Sequence, residues 1–489
     1  MKNPTIRICA IAMALYLILG ALFYPIAGDS LHFTSDTTET VSAKAPLGEI
    51  TADTEVQQAF QCEFDTLNSI SVMVGTMART NTDVILCRIL DQNGSVVFSK
   101  ELKTSEMKDN SEYLIVLDQP LENAKDKFFT LSLTSLFGTP GNAVTFYYGN
   151  SVDAGRVDVP VAIEDTEALY LNGERKQDED GRLCGLCLKL SGVNYHWFGP
   201  AYWWIYAGGA LLLALLLVYL VLCHRKGRSS LILGVVLSLH KYFFLIRQLV
   251  ARDFKTKYKR SVLGMFWSFL NPLLTMSIQY VVFSTLFKSS IPNFAIYLLC
   301  GIICFNFFNE ATNMCLMSIV GNATLINKVY VPKYIYPFSR TLSSSINLLL
   351  SLVPLLIMIL VTRTPITPAI FLLPFVLLML FLVSYGVGLI LATLMVFFRD
   401  TQFLWGIFSM LLMYLTPVFY PETIIPSQFM EFYKLNPLYH VLRFMRSILI
   451  DGVSLEPKAY LYCILLCGLP LLLGILIFRK NQNKFVLNI

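Results

Sequence analysis

Charge is what this sequence has least of. Asp, Glu, Lys and Arg together make up 15% of its 489 residues, against about 25% in a typical soluble domain. Hydrophobic residues reach 55% and the mean hydropathy is +0.59. That balance excludes an ordinary soluble enzyme, and 35 Phe with 24 Tyr exclude a disordered chain. Histidine is also scarce: five residues, spread over different segments, so no metal site is expected. The sequence has no Gly-x-x-x-x-Gly-Lys-[Ser/Thr] loop to cradle ATP phosphates, no nucleophile elbow, no His-Glu-x-x-His pair and no dinucleotide fingerprint. The expectation is a chain that is no enzyme and binds no cofactor itself.

What is present are apolar stretches that approach or exceed the roughly 20 residues needed to cross a hydrocarbon core, clustered after residue 200. Charge is partitioned around them. Asp29 to Tyr195 holds 26 acids against 13 bases, and the rest of the chain 7 acids against 25 bases. Basic residues retained beside spans mark the cytoplasmic side, which puts the acidic segment outside a bacterial cytoplasmic membrane. A basic remainder beside spans points to anionic headgroups before nucleic acid.

Cys9, Cys223, Cys300, Cys304, Cys315, Cys463 and Cys467 lie in or at the ends of apolar spans and read as packing. Cys62, Cys87, Cys184 and Cys187 lie in the external segment. The Cys184-Gly-Leu-Cys187 spacing suits a redox pair or half a zinc site, but without a second CxxC or a His pair it reads as a disulfide or two idle thiols.

Four regions follow. Residues 1–28 form a transmembrane anchor: Lys2 and Arg7 precede the apolar run Ile8 to Ala27, whose length favours an uncleaved span over a signal peptide. Residues 29–199 have strand grammar, with alternation at Phe60, Cys62 and Phe64, at Ile70, Val72 and Val74, and at Tyr113, Ile115 and Leu117. Further short runs lie at Val84 to Leu90 and Phe128 to Leu133, and Asp91-Gln-Asn-Gly94 suits a tight hairpin turn. These predict an extracytoplasmic antiparallel β-sandwich, which loosely resembles jelly-roll carbohydrate-binding modules. Tyr147, Tyr148 and Tyr170 either stack on sugars or fill the core. Residues 200–240 hold a second span and a cytoplasmic linker. The span has Trp197, Tyr202, Trp203, Trp204 and Tyr206 at its outer end and His224-Arg-Lys-Gly-Arg228 at its inner end. Residues 241–489 carry six further spans, near 262–287, 294–318, 339–361, 368–397, 402–420 and 460–478. The fold class is thus a multispanning α-helical membrane protein with an external sandwich.

Before the first of these six spans, Lys241 to Arg260 predicts an interfacial helix. Phe243, Ile246, Val250, Phe254 and Tyr258 fall on one face, and Lys241, Gln248, Arg252, Lys255 and Lys259 opposite. It serves either as a membrane-surface anchor or, through Arg252, Lys255, Lys257, Lys259 and Arg260, as a collection site for a lipid diphosphate.

Lys257-Tyr-Lys-Arg-Ser-Val-Leu-Gly264, Met265-Phe-Trp267 and Asn271-Pro-Leu273 closely resemble the start of the ABC-2 type permeases that export cell-surface polysaccharides, namely O-antigen and teichoic acid. The likeness continues through Asn322-Ala-Thr-Leu-Ile-Asn-Lys-Val-Tyr-Val-Pro332, Phe398-Arg-Asp400 and Thr416-Pro-Val-Phe-Tyr420 to Leu435-Asn-Pro437. It covers about residues 240–489. The external domain and its two flanking spans depart from the family pattern. The resemblance implies a six-span half-transporter that forms a homodimer and works with a separate ATPase subunit, on which ATP and Mg would sit. It further implies a glycan on undecaprenyl diphosphate, passing through a channel lined by aromatic residues. Phe305, Phe307, Phe308, Trp405 and Tyr414 suit such a lining, or ordinary span packing.

Glu310 is the acid well inside a span. At mid-membrane it would cost about 2.5–3.5 kcal/mol, so it should face a cavity, as an acceptor for sugar hydroxyls, or pair with a base at the inner rim. The loop Asn322 to Arg340 predicts a short amphipathic helix ended before Pro332. It would offer Leu325, Ile326, Val329 and Tyr330, rimmed by Lys328 and Lys333, to the ATPase or to the lipid surface. Between the fifth and sixth spans, Ile424-Ile-Pro426 and Asn436 to Arg446 predict re-entrant pieces. Asn436 would be the N-cap, Pro437 the first turn, Gly452 the exit, and Leu438, Leu442, Met445 and Leu449 one face. His440, Arg443 and Arg446 would handle diphosphate at the exit or snorkel to outer headgroups.

Competing readings are an ABC-2 exporter of a drug, peptide or lipid, a membrane sensor with an external input domain, and a membrane glycosyltransferase. The first lacks support from the interfacial basic helix, the second lacks a large cytoplasmic part, and the third lacks acidic pairs at span ends. The topology is open to direct test. A cysteine placed at Ser95, in the hairpin turn, should react with an impermeant maleimide added to intact cells; labelling only from the cytoplasmic side would invert the assignment.

Overall fold

The computed structural model describes residues 4–41, 45–149, 168–177, 181–225, 231–259, 262–285, 293–329 and 331–488. The chain divides into two compact units, one of residues 32–199 and 426–428, the other of residues 1–31, 200–425 and 429–489.

The first unit is the predicted sandwich. Its strands are β1 (Phe33–Glu39), β2 (Ala45–Pro46), β3 (Glu55–Gln61), β4 (Thr66–Gly75), β5 (Val84–Leu90), β6 (Val96–Lys103), β7 (Ser111–Glu122), β8 (Phe128–Ser135), β9 (Thr145–Gly149), β10 (Leu169–Leu171), β11 (Glu174–Arg175), β12 (Gly185–Leu186) and β13 (Leu188–Tyr195). One sheet runs β1-β13-β4-β9-β12, with β2 on β9 and β7 on β4; the other runs β11-β10-β3-β8-β5-β6. Every pairing is antiparallel. Because strand side chains alternate, Ile70 and Val72 of one sheet and Ile85, Cys87, Ile89, Leu131 and Leu133 of the other meet in a single core. Buried Gln58 of β3 crosses this core, accepting the Leu186 backbone N–H of β12 at 2.8 Å. The β5–β6 turn falls where the Asn-Gly pair placed it, but only Gly94 takes a positive φ, of 79°. The Asp91 carboxylate accepts the Asn93 and Ser95 backbone N–H groups at 2.9 and 2.8 Å, closing the turn with a side chain.

Tyr147, Tyr148 and Tyr170 are half-buried. Tyr148 packs on the core beneath Lys176, and the Tyr170 hydroxyl accepts from Arg175 Nε at 3.1 Å. Cys62, Cys87 and Cys187 are buried free thiols, and Cys184 is buried as well. Burial pushes the Cys87 and Cys187 thiols up to about 12, which keeps them protonated and unreactive.

The second unit is helical. It contains α1 (Pro4–Ala27), α2 (Phe198–Arg225), α3 (Leu231–Lys241), α4 (Phe243–Tyr258), α5 (Phe266–Thr285), α6 (Phe294–Leu316), α7 (Ala323–Lys328), α8 (Ile335–Val361), α9 (Leu373–Phe397), α10 (Thr401–Leu415), α11 (Ser427–Lys434), α12 (Pro437–Arg446) and α13 (Pro457–Asn481). Among the described residues six helical segments are long and apolar enough to cross a membrane: Cys9–Leu31, Phe198–Cys223, Phe294–Leu316, Ile335–Val361, Pro368–Phe397 and Pro457–Asn488. This is a multi-pass membrane protein, and the sandwich between its first two spans is consistent with an extracytoplasmic segment. The expected span 262–287 corresponds to the 20-residue α5, which is not among those six because Asn271, Gln279 and several hydroxyl residues lower its hydropathy. The expected span 402–420 is shorter than predicted: α10 ends at Leu415 because Pro417 forces Thr416 into extended backbone.

Buried α6 is the hub, packed by α5, α8, α9 and α12. Helices α9 and α13 approach closely. There a Cβ on Gly474 would lie 2.3 Å from the Gly386 carbonyl oxygen, so only hydrogen fits, as in the small-residue contacts of membrane helices. Helices α1 and α2 pair differently: the Tyr16 and Tyr206 rings stack at 5.4 Å, and each hydroxyl donates to a backbone carbonyl of the other helix. Gly474→Val should abolish folded yield in detergent, whereas Gly468→Ala, at a position with open space around it, should leave the elution profile unchanged.

Candidate functional site

The site begins at α4, whose residue spacing makes it amphipathic, but with a different buried face from the one the periodicity suggested. Ile246, Leu249, Val250 and Asp253 are buried, at spacings of three, four and seven. Phe243 and Phe244 are 64% and 72% exposed. Ile246 and Val250 pack on Val331 and Ile335, and Leu249 packs on Ile319 and Tyr336. The apolar stripe therefore faces protein on this side, and Phe243 belongs to the outer surface.

Asp253 went unnoticed in the sequence because it interrupts an apolar stripe. Its carboxylate is 3% exposed and accepts from Arg340 Nη1 of α8 at 2.9 Å and from Arg252 Nη2 at 3.2 Å. Arg252 also donates to Asn322 Oδ1 at 3.1 Å, and Asn322 Nδ2 donates to the Ser318 carbonyl at 2.7 Å. One carboxylate thus ties α4 to α8 and to the turn before α7. Of the five expected lipid-facing bases, Arg252 is engaged in this network, Lys257 pairs with Glu310, and Lys255 and Lys259 are exposed. Arg260 lies outside the described residues.

Beyond Lys257 opens a cleft of about 310 Å³ between α5, α6 and α8. Each helix contributes residues one turn apart: Trp267, Ser268 and Asn271 from α5; Ile303, Asn306, Phe307 and Glu310 from α6; Ser344, Asn347, Leu348 and Ser351 from α8. Glu310 Oε1 accepts from Lys257 Nζ at 2.8 Å and from Asn347 Nδ2 at 2.7 Å. The charge that would be costly in lipid is thereby paired with a base and hydrogen-bonded on a cleft wall. Asn347 is buried and, with Ser351, also reaches Ser268 across the α5–α8 contact. Asn271 and Asn306 are exposed at the cleft. The signal available in the sequence was polar residues recurring at helical spacing inside otherwise apolar spans, and only Glu310 was singled out from it.

The aromatic candidates separate. Phe307 lines the cleft. Phe305 and Phe308 are buried in the bundle, and Trp405 packs against Phe308 with ring centroids 6.1 Å apart while bordering an apolar groove on α10. Tyr414 is 60% exposed.

The inner segment forms the expected short helix, α7, starting beside Asn322 and stopping before Pro332. Its apolar side turns inward, however: Leu325 and Ile326 pack on the cluster of Leu249, Tyr336, Phe478 and Phe485. Lys333 donates to the Gln482 carbonyl and lies over the Phe485 ring, and burial pulls its ammonium below the ordinary lysine range. What remains outward is Asn327, Lys328 and Val329; Tyr330 lies outside the described residues.

At the other end of the bundle, Asn436 caps α12 by accepting the Leu438 N–H at 3.0 Å, Pro437 occupies the first turn, and Gly452 ends the following π-helical turn with a φ of 69°. Leu438, Leu442, Met445 and Leu449 are buried as expected. The three bases do not form one exposed group. Arg443 is exposed, His440 is buried with Nε2 2.7 Å from the Lys434 carbonyl, and Arg446 is buried with its guanidinium 3.4 Å over the Tyr297 ring, donating to the Val418 carbonyl at 2.9 Å. Among the described residues no group of three His, Cys, Asp or Glu side chains is placed to hold a metal.

The bundle thus combines a basic, exposed helix end with a polar cleft among apolar helices. Residues 245–450 match the ABC-2 type transporter family model. Over 246 residues, half of this chain and 94% of the relative, the sequence is 29% identical to the O-antigen export system permease protein RfbA of Klebsiella pneumoniae. It is 28% identical to the protein of the same name from Myxococcus xanthus over 44% of this chain and 84% of the relative. It is 23% identical to the polysialic acid transport protein KpsM of Escherichia coli over 49% and 95%. The chain thus carries an ABC-2 membrane domain homologous to O-antigen and capsule polysaccharide export permeases, and the other half of the chain lies outside the likeness.

Removing one member of a buried ion pair costs about 3–5 kcal/mol, whereas replacing both by apolar residues is often neutral. Asp253→Ala and Arg340→Leu should each lower the melting temperature of the purified protein. The Asp253→Leu/Arg340→Leu double variant should recover most of the loss.

Proposed function

We propose that the chain is the transmembrane subunit of an ABC transporter that exports an undecaprenyl-diphosphate-linked cell-surface polysaccharide, such as an O-antigen or a teichoic acid, across the cytoplasmic membrane. The observation that carries this reading is the match to polysaccharide export permeases over nearly their whole length. The polar cleft beside a basic interfacial helix agrees with it. In this reading the chain acts as a homodimer, and a separate ATPase binds Mg-ATP. The outward side of α7 at Asn327, Lys328 and Val329 is the edge offered to that ATPase. The exposed Lys255 and Lys259 receive the lipid diphosphate, and Arg252 serves the Asp253 network instead. The sandwich contacts the emerging glycan.

Charge at the two exposed lysines is the sharpest test, since neither supports the fold. Lys255→Gln/Lys259→Gln should leave protein levels unchanged while surface polysaccharide falls about tenfold and lipid-linked glycan accumulates inside. Normal surface polysaccharide in a strain lacking the whole gene would overturn the export reading. Normal export by the double variant would remove only the diphosphate role.

A further inference from the structure

Inside a bundle of this kind, polar side chains that are not used for helix packing mark a pathway or a binding site. The cleft between α5, α6 and α8 concentrates them. Its volume of about 310 Å³ falls at the lower end of the roughly 300–1,000 Å³ of small-ligand sites. Its wall combines three kinds of group: a half-exposed indole at Trp267, primary amides at Asn271 and Asn306, and a carboxylate at Glu310 held in place by buried Asn347.

Three ligand classes can be weighed against that wall. An acyl chain would cover the exposed amides of Asn271 and Asn306 without replacing their hydrogen bonds to water, which is unfavourable. A phosphate would meet Glu310 as a like charge, and Lys257, the cation among the described residues that line the cleft, already sits 2.8 Å from that carboxylate. A sugar ring meets neither objection. Its hydroxyls donate to a carboxylate and accept from amide N–H groups, and its C–H face stacks on an aromatic ring. Among the described lining residues the charges of Lys257 and Glu310 balance, which suits a neutral ligand.

We propose that this cleft is a subsite for the single sugar bonded directly to the lipid diphosphate. The inference rests on the export reading and deepens it. Lys257 stands at the cleft, and Lys255 and Lys259 lie two residues to either side of it on the exposed end of the interfacial helix. Residues two apart face opposite ways on a helix, so a diphosphate held at those lysines lies across the helix end from Lys257, within about one helix diameter of 10–12 Å, and its first sugar is the part of the glycan nearest the cleft. The permease would read the linkage sugar and tolerate whatever repeat follows it.

The test is equilibrium binding to the full-length chain in nanodiscs. The probes are bare undecaprenyl diphosphate and the same lipid carrying glucose, galactose, N-acetylglucosamine or N-acetylgalactosamine. At least one glycosylated lipid should bind about tenfold tighter than the bare one. Trp267→Leu, Asn271→Ala and Asn306→Ala, which change exposed side chains, should each bring the ratio of the two dissociation constants close to one. Equal binding of all five lipids, or a preference that survives these three substitutions, overturns the subsite and leaves the export reading standing. Failure of the chain to bind any of the five lipids overturns the lipid-diphosphate reading and the subsite with it.

Discussion

Burying a carboxylate to 3% exposure is costly unless cations and hydrogen-bond donors replace its water, and Asp253 has both in Arg340 and Arg252. The consequence reaches well beyond one pair. Arg340 belongs to the first turns of α8, while Arg252 passes the tie on to Asn322 and so to the Ser318 carbonyl at the end of the α6 region. Elements some seventy residues apart in sequence are thus fixed to one turn of the interfacial helix. Apolar contacts of Ile246, Leu249 and Val250 hold the same helix against the same neighbours, but such contacts permit sliding. The ionic network is directional and sets the register.

That register decides where Lys257 falls. One turn beyond Asp253 on α4, it reaches Glu310, which sits two turns before the end of α6. The interfacial helix consequently touches the bundle at two charged points, one closed and structural, the other on the wall of a cleft. Moving α7 or the start of α8 would be felt at Asp253 first and at Lys257 next, because a rigid helix joins them. The polar cleft and the inner segment are in this way parts of one mechanical unit, built from side chains whose burial would otherwise be unfavourable.

Much of the architecture was legible in the sequence because it follows from period and length. Ile70, Val72 and Val74 alternate and are buried, and Asn436, Pro437 and Gly452 start and stop the re-entrant helices where their backbone preferences require. The choice among like residues was not legible. Arg252 and Lys255 look equivalent on a helical projection, and only the distant Asn322 and the neighbouring Asp253 make one structural and leave the other exposed. Overlooking Asp253 also rotated the expected buried face of α4 toward Phe243, since a charged residue satisfied inside the protein has no signature in hydropathy. Leu325 and Ile326 were read as an edge for a partner for the same reason: the C-terminal Phe485 that covers them is remote in sequence.

The short fifth span raises a last physical question. Fifteen residues of α10 reach about 22 Å, less than a hydrocarbon core of roughly 30 Å, so irregular backbone from Thr416 to Tyr420 must lie at membrane depth or at its edge. Such backbone is tolerated only where protein satisfies its carbonyls. Here Arg446 donates to the Val418 carbonyl and the Tyr297 hydroxyl donates to the Tyr420 carbonyl at 2.7 Å, while Asn436 Nδ2 donates to Thr416 Oγ1 at 2.9 Å. The Arg446 charge in turn lies against the Tyr297 ring rather than a carboxylate, a contact that gains strength once water is excluded. Helix α12 is therefore a condition for the loop, since it carries the guanidinium that lets the chain leave helical geometry early. With the Val418 and Tyr420 carbonyls occupied by protein donors, the loop can end a span short of the far surface at a lower cost than bare backbone would carry.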